Sequence, residues 1–100
     1  MHVISKKKLK EFWEKHPDVK SNLESWYKIT SKAEWGNFVE LRQNFPAADL
    51  VGYFTVFNIS GNKYRLIALV DYQYKEIYIR HVLTHAEYDT DNWKNDPWYT

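Results

Sequence analysis

The chain has 100 residues, of which 44% are hydrophobic and 18% aromatic, proportions that exclude intrinsic disorder and fit one folded domain over 1–100. It holds no cysteine, which excludes disulfides, thiol catalysis and cysteine-ligated zinc or iron–sulfur centres. No apolar run approaches the roughly 20 residues that cross a bilayer, and charges fill the N-terminal stretch where a signal peptide is apolar; a soluble cytoplasmic protein with no membrane partner is expected.

The net charge of +1 conceals an uneven spread: Met1–Lys32 carries eight lysines against four acids, and the remainder six basic residues against nine acids. A polyanion therefore meets a local basic surface with little long-range pull from the whole molecule. Solvated lysine-rich helix faces account for such a run equally well.

In chain order, His2–Ser5 is a short β-prone start, and Ser5 sits where a helix N-cap belongs. Leu9, Phe12, Trp13 and His16 then recur at helical spacing, until Pro17 ends the run and opens a second helix. That helix carries Val19, Leu23, Trp26 and Tyr27 on one side, so Trp13 and Trp26 belong to a core. Asn37 followed by Glu40 has the spacing of a capping box and predicts a short third helix with Phe38, Leu41 and Phe45 inside, stopped by Pro46. Pro46–Gly52 reads as a loop.

The period then changes. Phe54–Ser60, Lys63–Asp71 and Glu76–Thr84 are rich in β-branched and aromatic residues, with Gly61-Asn62 as a two-residue hairpin turn and Tyr72–Lys75 as a four-residue one. Asp91–Thr100 reads as an aromatic, polar tail liable to fray. The order gives an α+β fold with N-terminal helices packed on one face of a small, mainly antiparallel sheet.

Pairing the strands through those turns sets Asn58 opposite Arg65, Phe57 opposite Leu66, Ile67 opposite Arg80 and Ala68 opposite Ile79. Alternation then assigns Phe57, Ile59, Leu66, Ala68, Val70, Ile77, Ile79 and Leu83 to the face under the helices, with His81 pointing the same way. The open face receives Asn58, Lys63, Arg65, Tyr78, Arg80 and Thr84, with Ile67 and Val82 between them. Guanidinium forks grip phosphate in bidentate geometry, and rings beside them support bases. An ordinary wet sheet face would also carry charges, and a one-residue slip would scatter the group.

Beyond the last strand lies Thr84-His85-Ala86-Glu87-Tyr88-Asp89. Histidine is the side chain that changes charge near neutral pH, and Tyr88 and Glu87 are further proton carriers. RNA brings its own nucleophile, the 2′-hydroxyl. Its cleavage needs a base for that hydroxyl, an acid for the departing 5′ oxygen and cations around the phosphate. Histidine, tyrosine and arginine meet those needs without a metal, and no histidine spacing here suggests metal ligation.

The blocks "VISKKKLKEFWEKHPDVKSNLESWYK", "FNISGNKYRL" and "IRHVLTHAEYD" occur in order over roughly residues 3–90, and they resemble the HigB family of type II toxins in the RelE/ParE-like superfamily. The resemblance implies a toxin that cleaves mRNA on the translating ribosome, without metal or organic cofactor. It also implies a HigA-like helix-turn-helix antitoxin as partner, with operator DNA contacted only through the toxin–antitoxin complex. Carried onto this sequence, the central block supplies Asn58, Lys63 and Arg65, and the last block Arg80, His85 and Tyr88, with Glu87 and Asp89 beside them. Arg65 and Arg80 are then expected to hold the scissile phosphate, Lys63 a neighbouring phosphate or the transition-state charge, and Asn58 to orient the RNA. His85 or Tyr88 moves the proton. A ParE-like toxin that blocks a protein such as DNA gyrase shares the fold, and so does a non-catalytic RNA-binding module.

Overall fold

A computed structural model describes residues 1–100. Its elements run β1 (His2–Ile4), α1 (Lys6–Lys15), a 3₁₀ turn (Pro17–Val19), α2 (Lys20–Lys32), α3 (Phe38–Asn44), β2 (Asp49–Val51), β3 (Phe54–Ile59), β4 (Tyr64–Asp71), β5 (Glu76–Thr84), α4 (His85–Asp89), and two further 3₁₀ turns at Asn92–Asn95 and Pro97–Tyr99. The five strands form one sheet in the order β1-β5-β4-β3-β2, in which β1 runs parallel to β5 and every other pairing is antiparallel. The α+β reading holds.

The helices form where the apolar spacing asks for them. Leu9 on α1 and Leu23 and Trp26 on α2 are buried, while their lysines face outward. Pro17 opens the 3₁₀ turn that leads into α2, where its missing N–H costs nothing. Asn37 caps α3 by accepting the Glu40 N–H at 2.9 Å; the Glu40 carboxylate accepts from the Gly36 N–H at 2.7 Å rather than from the cap residue itself. These helices cover one face of the sheet. Leu9, Val19, Leu23, Trp26 and Leu41 pack there on Phe57, Ile59, Leu66, Ala68, Ile77 and Ile79. Trp26 and Phe45 meet the Phe57 ring edge-on, with centroids 5.4 and 5.1 Å away, a favoured aromatic arrangement.

The first hairpin keeps its expected register, Asn58 opposite Arg65 and Phe57 opposite Leu66. Its turn is closed by the Lys63 N–H on the Ser60 carbonyl at 3.3 Å, with positive φ at Ser60 and Gly61 rather than at Gly61 and Asn62. The second hairpin starts as expected, with Ala68 opposite Ile79, and then departs from expectation. A β-bulge lies between Ile67 and Ala68, so that Ile67 pairs with His81 and Arg80 becomes the extra residue. Past the bulge every side chain of β5 changes face. His81 and Leu83, expected under the helices, lie on the open side, where Leu83 joins a second apolar cluster. Val82, expected on the open side, packs with the helix-side core, and Thr84 pairs with Tyr64 on that same side.

Two stretches expected to be irregular are structured. Asp49–Val51, read within a loop, pairs with Phe54–Val56 as an edge strand. Asp91–Thr100, read as a fraying tail, folds back over the open face, where Trp93 is 4% exposed and clusters with Phe54, Val56 and Ile67. Tyr99 packs on both Phe54 and Trp93, and its carbonyl accepts the Tyr53 N–H at 3.2 Å. Gly52 makes this seat possible. It has φ +60°, and a Cβ there would lie 2.6 Å from the Tyr99 ring.

Trp93→Ala is expected to lower stability by about 3–5 kcal/mol, the cost of emptying a packed aromatic site. Urea denaturation checks this, and a loss below about 1 kcal/mol would mean that the C-terminal turns are not part of the core.

Candidate functional site

The open face of β4 and β5, rimmed by α4 and the C-terminal turns, collects most of the chemistry-bearing side chains. Arg65 projects there from the middle strand and is 9% exposed. Its Nη1 donates to the Tyr64 carbonyl at 3.2 Å, and its guanidinium carbon lies 5.3 Å from the centre of the Tyr88 ring. Tyr88 is in turn stacked on Trp93, with centroids 5.3 Å apart and planes 11° from parallel. A cation over a ring that is itself stacked is held in plane, a cation–π contact strengthened by the shared burial. Burial also raises the Tyr88 hydroxyl above its ordinary pKa, against the opposing pull of Arg65 and Lys94. A tyrosine is a protonated phenol at neutral pH in any case, and the upward shift moves Tyr88 further from a phenolate base.

Arg80, released from the ladder by the bulge, reaches the segment that follows α4. Its Nε and Nη2 donate to the two carboxylate oxygens of Asp96 at 2.9 and 2.8 Å. The Trp98 ring covers the guanidinium at 3.8 Å, and Tyr78 meets Trp98 edge-on. His81 Nε2 lies 2.9 Å from the same Asp96 carboxylate, whose side chain is 4% exposed. The charge-assisted bonds from Arg80 hold the Asp96 carboxyl well below the usual carboxylate range, with the Trp98 N–H and His81 acting in the same direction and burial opposing them.

His85 opens α4, whose start is fixed by a reciprocal cap. Thr84 accepts the Glu87 N–H at 3.2 Å, and Glu87 accepts the Thr84 N–H at 2.9 Å. Glu87 is thereby engaged in the cap. The His85 side chain is half exposed, with Nδ1 2.9 Å from the Asp89 carboxylate, while its backbone N–H donates to the Lys63 carbonyl at 3.0 Å.

Arg65, Arg80, His85 and Tyr88 thus gather on or beside one face. One of the expected residues does not join them. Lys63 turns its ammonium to the helix side, 2.7 Å from Asp18, which also accepts from the Tyr64 hydroxyl at 2.9 Å. The Asp18 carboxyl is held low by Lys63 first and Tyr64 second, and the Lys63 ammonium is held high by Asp18. Asn58 is exposed on β3 opposite Arg65, and it also borders a groove toward Asn22 and Ser25 of α2.

The structure adds three residues that strand pairing missed, His81, Asp96 and Trp98. His81 was hidden by the bulge, which nothing in the local sequence announces. Asp96 had a readable signal: Asp followed by Pro is an N-cap with proline at the first helical position, and Asp96 does accept the Trp98 N–H at 2.9 Å. A cleft of about 300 Å³ opens beside this group, between α1 and β5, with Lys8, Lys15, Arg80 and His81 on its walls and Glu11 as the acid among them.

A family model described as HigB_toxin, the RelE-like toxic component of a toxin–antitoxin system, matches residues 7–91. The chain belongs to this family. Its curated relatives include the mRNA interferase toxin HigB of Escherichia coli strain K12, 37% identical over 92 residues that cover 89% of this chain and 88% of that protein. The mRNA interferase HigB of Shigella flexneri matches to the same degree, and that of Escherichia coli O6:H1 is 33% identical over 92 residues, 89% of each chain. The matched HigB segment contains Arg65, Arg80, His81, His85 and Tyr88 and stops short of Trp93, Asp96 and Trp98. No helix is long and apolar enough to cross a membrane.

The lowered Asp96 pKa has a consequence for stability. A carboxyl depressed in the folded state contributes fully above its unfolded value, near pH 4, and loses that contribution as pH falls toward the folded value. Asp96→Asn is therefore expected to be less stable than the natural chain at pH 7, with the gap narrowing below about pH 4. Urea denaturation of both proteins at pH 7, 4 and 2.5 measures the gap; one that stays constant would mean that Asp96 is not ionised against Arg80.

Proposed function

We propose that this HigB-family toxin cleaves mRNA on the translating ribosome, using the RNA 2′-hydroxyl as nucleophile and requiring no metal. The observation that carries the reading is the gathering of Arg65 and Arg80 on one sheet face, with the Tyr88 ring against the first, His81 beside the second, and His85 at the rim. The names of the curated relatives, mRNA interferases, support the same activity over gyrase blocking or a purely binding role.

In this reading the 2′-oxygen attacks phosphorus while a base removes its proton. The P–O5′ bond breaks, and an acid protonates the departing 5′ oxygen, leaving a 2′,3′-cyclic phosphate. Arg65 and Arg80 neutralise the charge gathering on the non-bridging oxygens, the term that electrostatic stabilisation makes largest. His85, with Nδ1 on Asp89, keeps Nε2 for the 2′-hydroxyl proton. Tyr88, a phenol whose raised pKa rules out a phenolate base at neutral pH, is assigned the acid role at the leaving oxygen. Asn58 lies across from Arg65 and orients the chain of nucleotides. Lys63, its ammonium engaged by Asp18, contributes through the carbonyl that holds the His85 backbone, and meets at most a neighbouring phosphate.

The partners follow from the family. A toxic component of a toxin–antitoxin system is matched to an antitoxin. We take this antitoxin to be a HigA-like helix-turn-helix protein, through which alone the complex reaches operator DNA.

Primer extension on a reporter mRNA in a reconstituted translation reaction tests the proposal, with the natural chain, Arg80→Ala and naked RNA in parallel. Cuts confined to the translated message are expected, reduced by about 100-fold or more in Arg80→Ala. Stalled translation with intact message would replace cleavage by a binding block, and cuts on naked RNA would remove the ribosome from the mechanism.

A further inference from the structure

We propose that Asp96 is a positioning residue, brought over the open face by the two C-terminal 3₁₀ turns, which aims Arg80 and His81 into the cleft between α1 and β5 where an RNA phosphate binds. The inference rests on the RNA-cleaving reading and deepens it, because it assigns a role to a segment that lies beyond the residues matched by the family.

The geometry of the guanidinium separates this role from its opposite, a carboxylate that competes with RNA. Arginine has a side edge, made by Nε and one terminal nitrogen, and an end edge made by the two terminal nitrogens; each accepts an oxyanion in bidentate fashion. Asp96 holds the side edge, through Nε and Nη2. Nη1 and the end edge are left for a phosphate. Trp98 covers one face of the group at 3.8 Å, so its plane is fixed as well as its rotation. A phosphate therefore meets an arginine whose conformational freedom has already been removed, and no bond to Asp96 has to break for it to bind.

His81 is held by the same carboxylate. With Nε2 on Asp96, its other ring nitrogen is the one left to face a ligand, and the residue lines both the α1–β5 cleft and a second one, of about 320 Å³, bordered by Leu83, Glu87 and Asn92. The α1–β5 cleft gathers Lys8, Lys15, Arg80 and His81 against the single carboxylate of Glu11, a balance that suits a phosphodiester segment. Lys8 in addition donates to the Arg80 carbonyl at 3.1 Å, which ties α1 to the bulge itself.

Asp96 is itself fixed by what surrounds it. It caps the Pro97–Tyr99 turn through the Trp98 N–H, and the preceding turn is anchored by buried Trp93, whose indole N–H donates to the Tyr88 carbonyl at 3.0 Å. Arg65 and Tyr88 on one side and Arg80 and His81 on the other thus lean on the same C-terminal scaffold. Function is served when supporting residues are as rigid as the groups they support.

The test measures kcat and KM for cleavage of a ribosome-bound message by the full chain and by Asp96→Asn and Asp96→Glu, at a temperature where circular dichroism shows each folded. Asp96→Asn is expected to lower kcat at least 10-fold with KM within about 3-fold, and Asp96→Glu to recover part of the loss. Trp98→Ala, at a half-exposed ring, should lower kcat in the same direction and keeps the test open if Asp96→Asn does not fold. Faster cleavage by Asp96→Asn would make the tail a competitor of RNA and overturn the proposal, as would unchanged kinetics. Binding of an RNA oligonucleotide with a 2′-deoxy substitution, which cannot be cut, separates the two readings. Weaker binding by Asp96→Asn, with no cleavage even by the natural chain, would keep the positioning role and discard the nuclease. Equal binding together with equal or absent cleavage discards the positioning role.

Discussion

Trp93 closes over Phe54, Val56 and Ile67 on the face of the sheet that the helices leave uncovered, and the rest of the fold answers to that contact. The middle strands β3 and β4 are apolar on both sides: Phe57, Leu66 and Ala68 face the helices, and Val56 and Ile67 face the other way. A chain of this length buries a modest fraction of its surface and cannot leave such a face in water without losing a large part of its stability. The C-terminal turns are therefore a second layer, thin but complete, and the site lies where this layer meets the ends of β4 and β5.

The bulge decides what the layer covers. Without it, Arg80 would stand opposite Ile67 and His81 would point into the helix-side core, where an imidazole has no partner. With it, both residues of the bulged strand reach the open side, and Val82 returns to pack against the helix-side core. An extra residue in a strand costs ladder hydrogen bonds and adds twist, and it is retained where it re-aims a side chain. Here it brings a guanidinium and an imidazole to one carboxylate, an array that regular alternation would have divided between two faces.

What could be read from the sequence follows the strength of the local signals. The three helices and the three long strands carry strong periodicity and clear stops at Pro17, Pro46 and Gly61, and they appear where that periodicity puts them. The pairing Asn58 with Arg65 follows from the turn alone, whereas Arg80 reaches the open face through the bulge and not through its expected pairing with Ile67. The edge strand Asp49–Val51 was illegible because three residues beside a glycine have no period; it is a strand only because β3 offers an unpaired edge. The C-terminal turns are hidden in the sequence because Asn, Asp and Lys around Trp93 and Trp98 suggest a solvated tail, and only the apolar open face shows what the rings are for. The orientation of Lys63 was likewise set by a partner, Asp18, that is 45 residues away in the chain.

The charge balance of the molecule also acquires a reason. Lys63, Arg80 and His85 each face a carboxylate, Asp18, Asp96 and Asp89 respectively, while Arg65 has none within salt-bridge distance and rests on the Tyr88 ring and a backbone carbonyl. The pair at Lys63 is exposed, and such pairs are worth little, so an arriving anion exchanges with it readily. The Arg80 pair is largely buried, and removing its carboxylate would leave an uncompensated charge, so the pair persists and leaves the end edge of the guanidinium open, as the proposal requires. In the proposed RNA reading Arg65 is the guanidinium with no carboxylate to displace, and it is reached over a short distance because a net charge of +1 provides little steering from afar. A protein that cannot rely on long-range attraction must derive affinity from contact geometry. In that regime a guanidinium fixed by a ring and a carboxylate is more effective than a mobile lysine, because less of its freedom remains to be lost when phosphate binds.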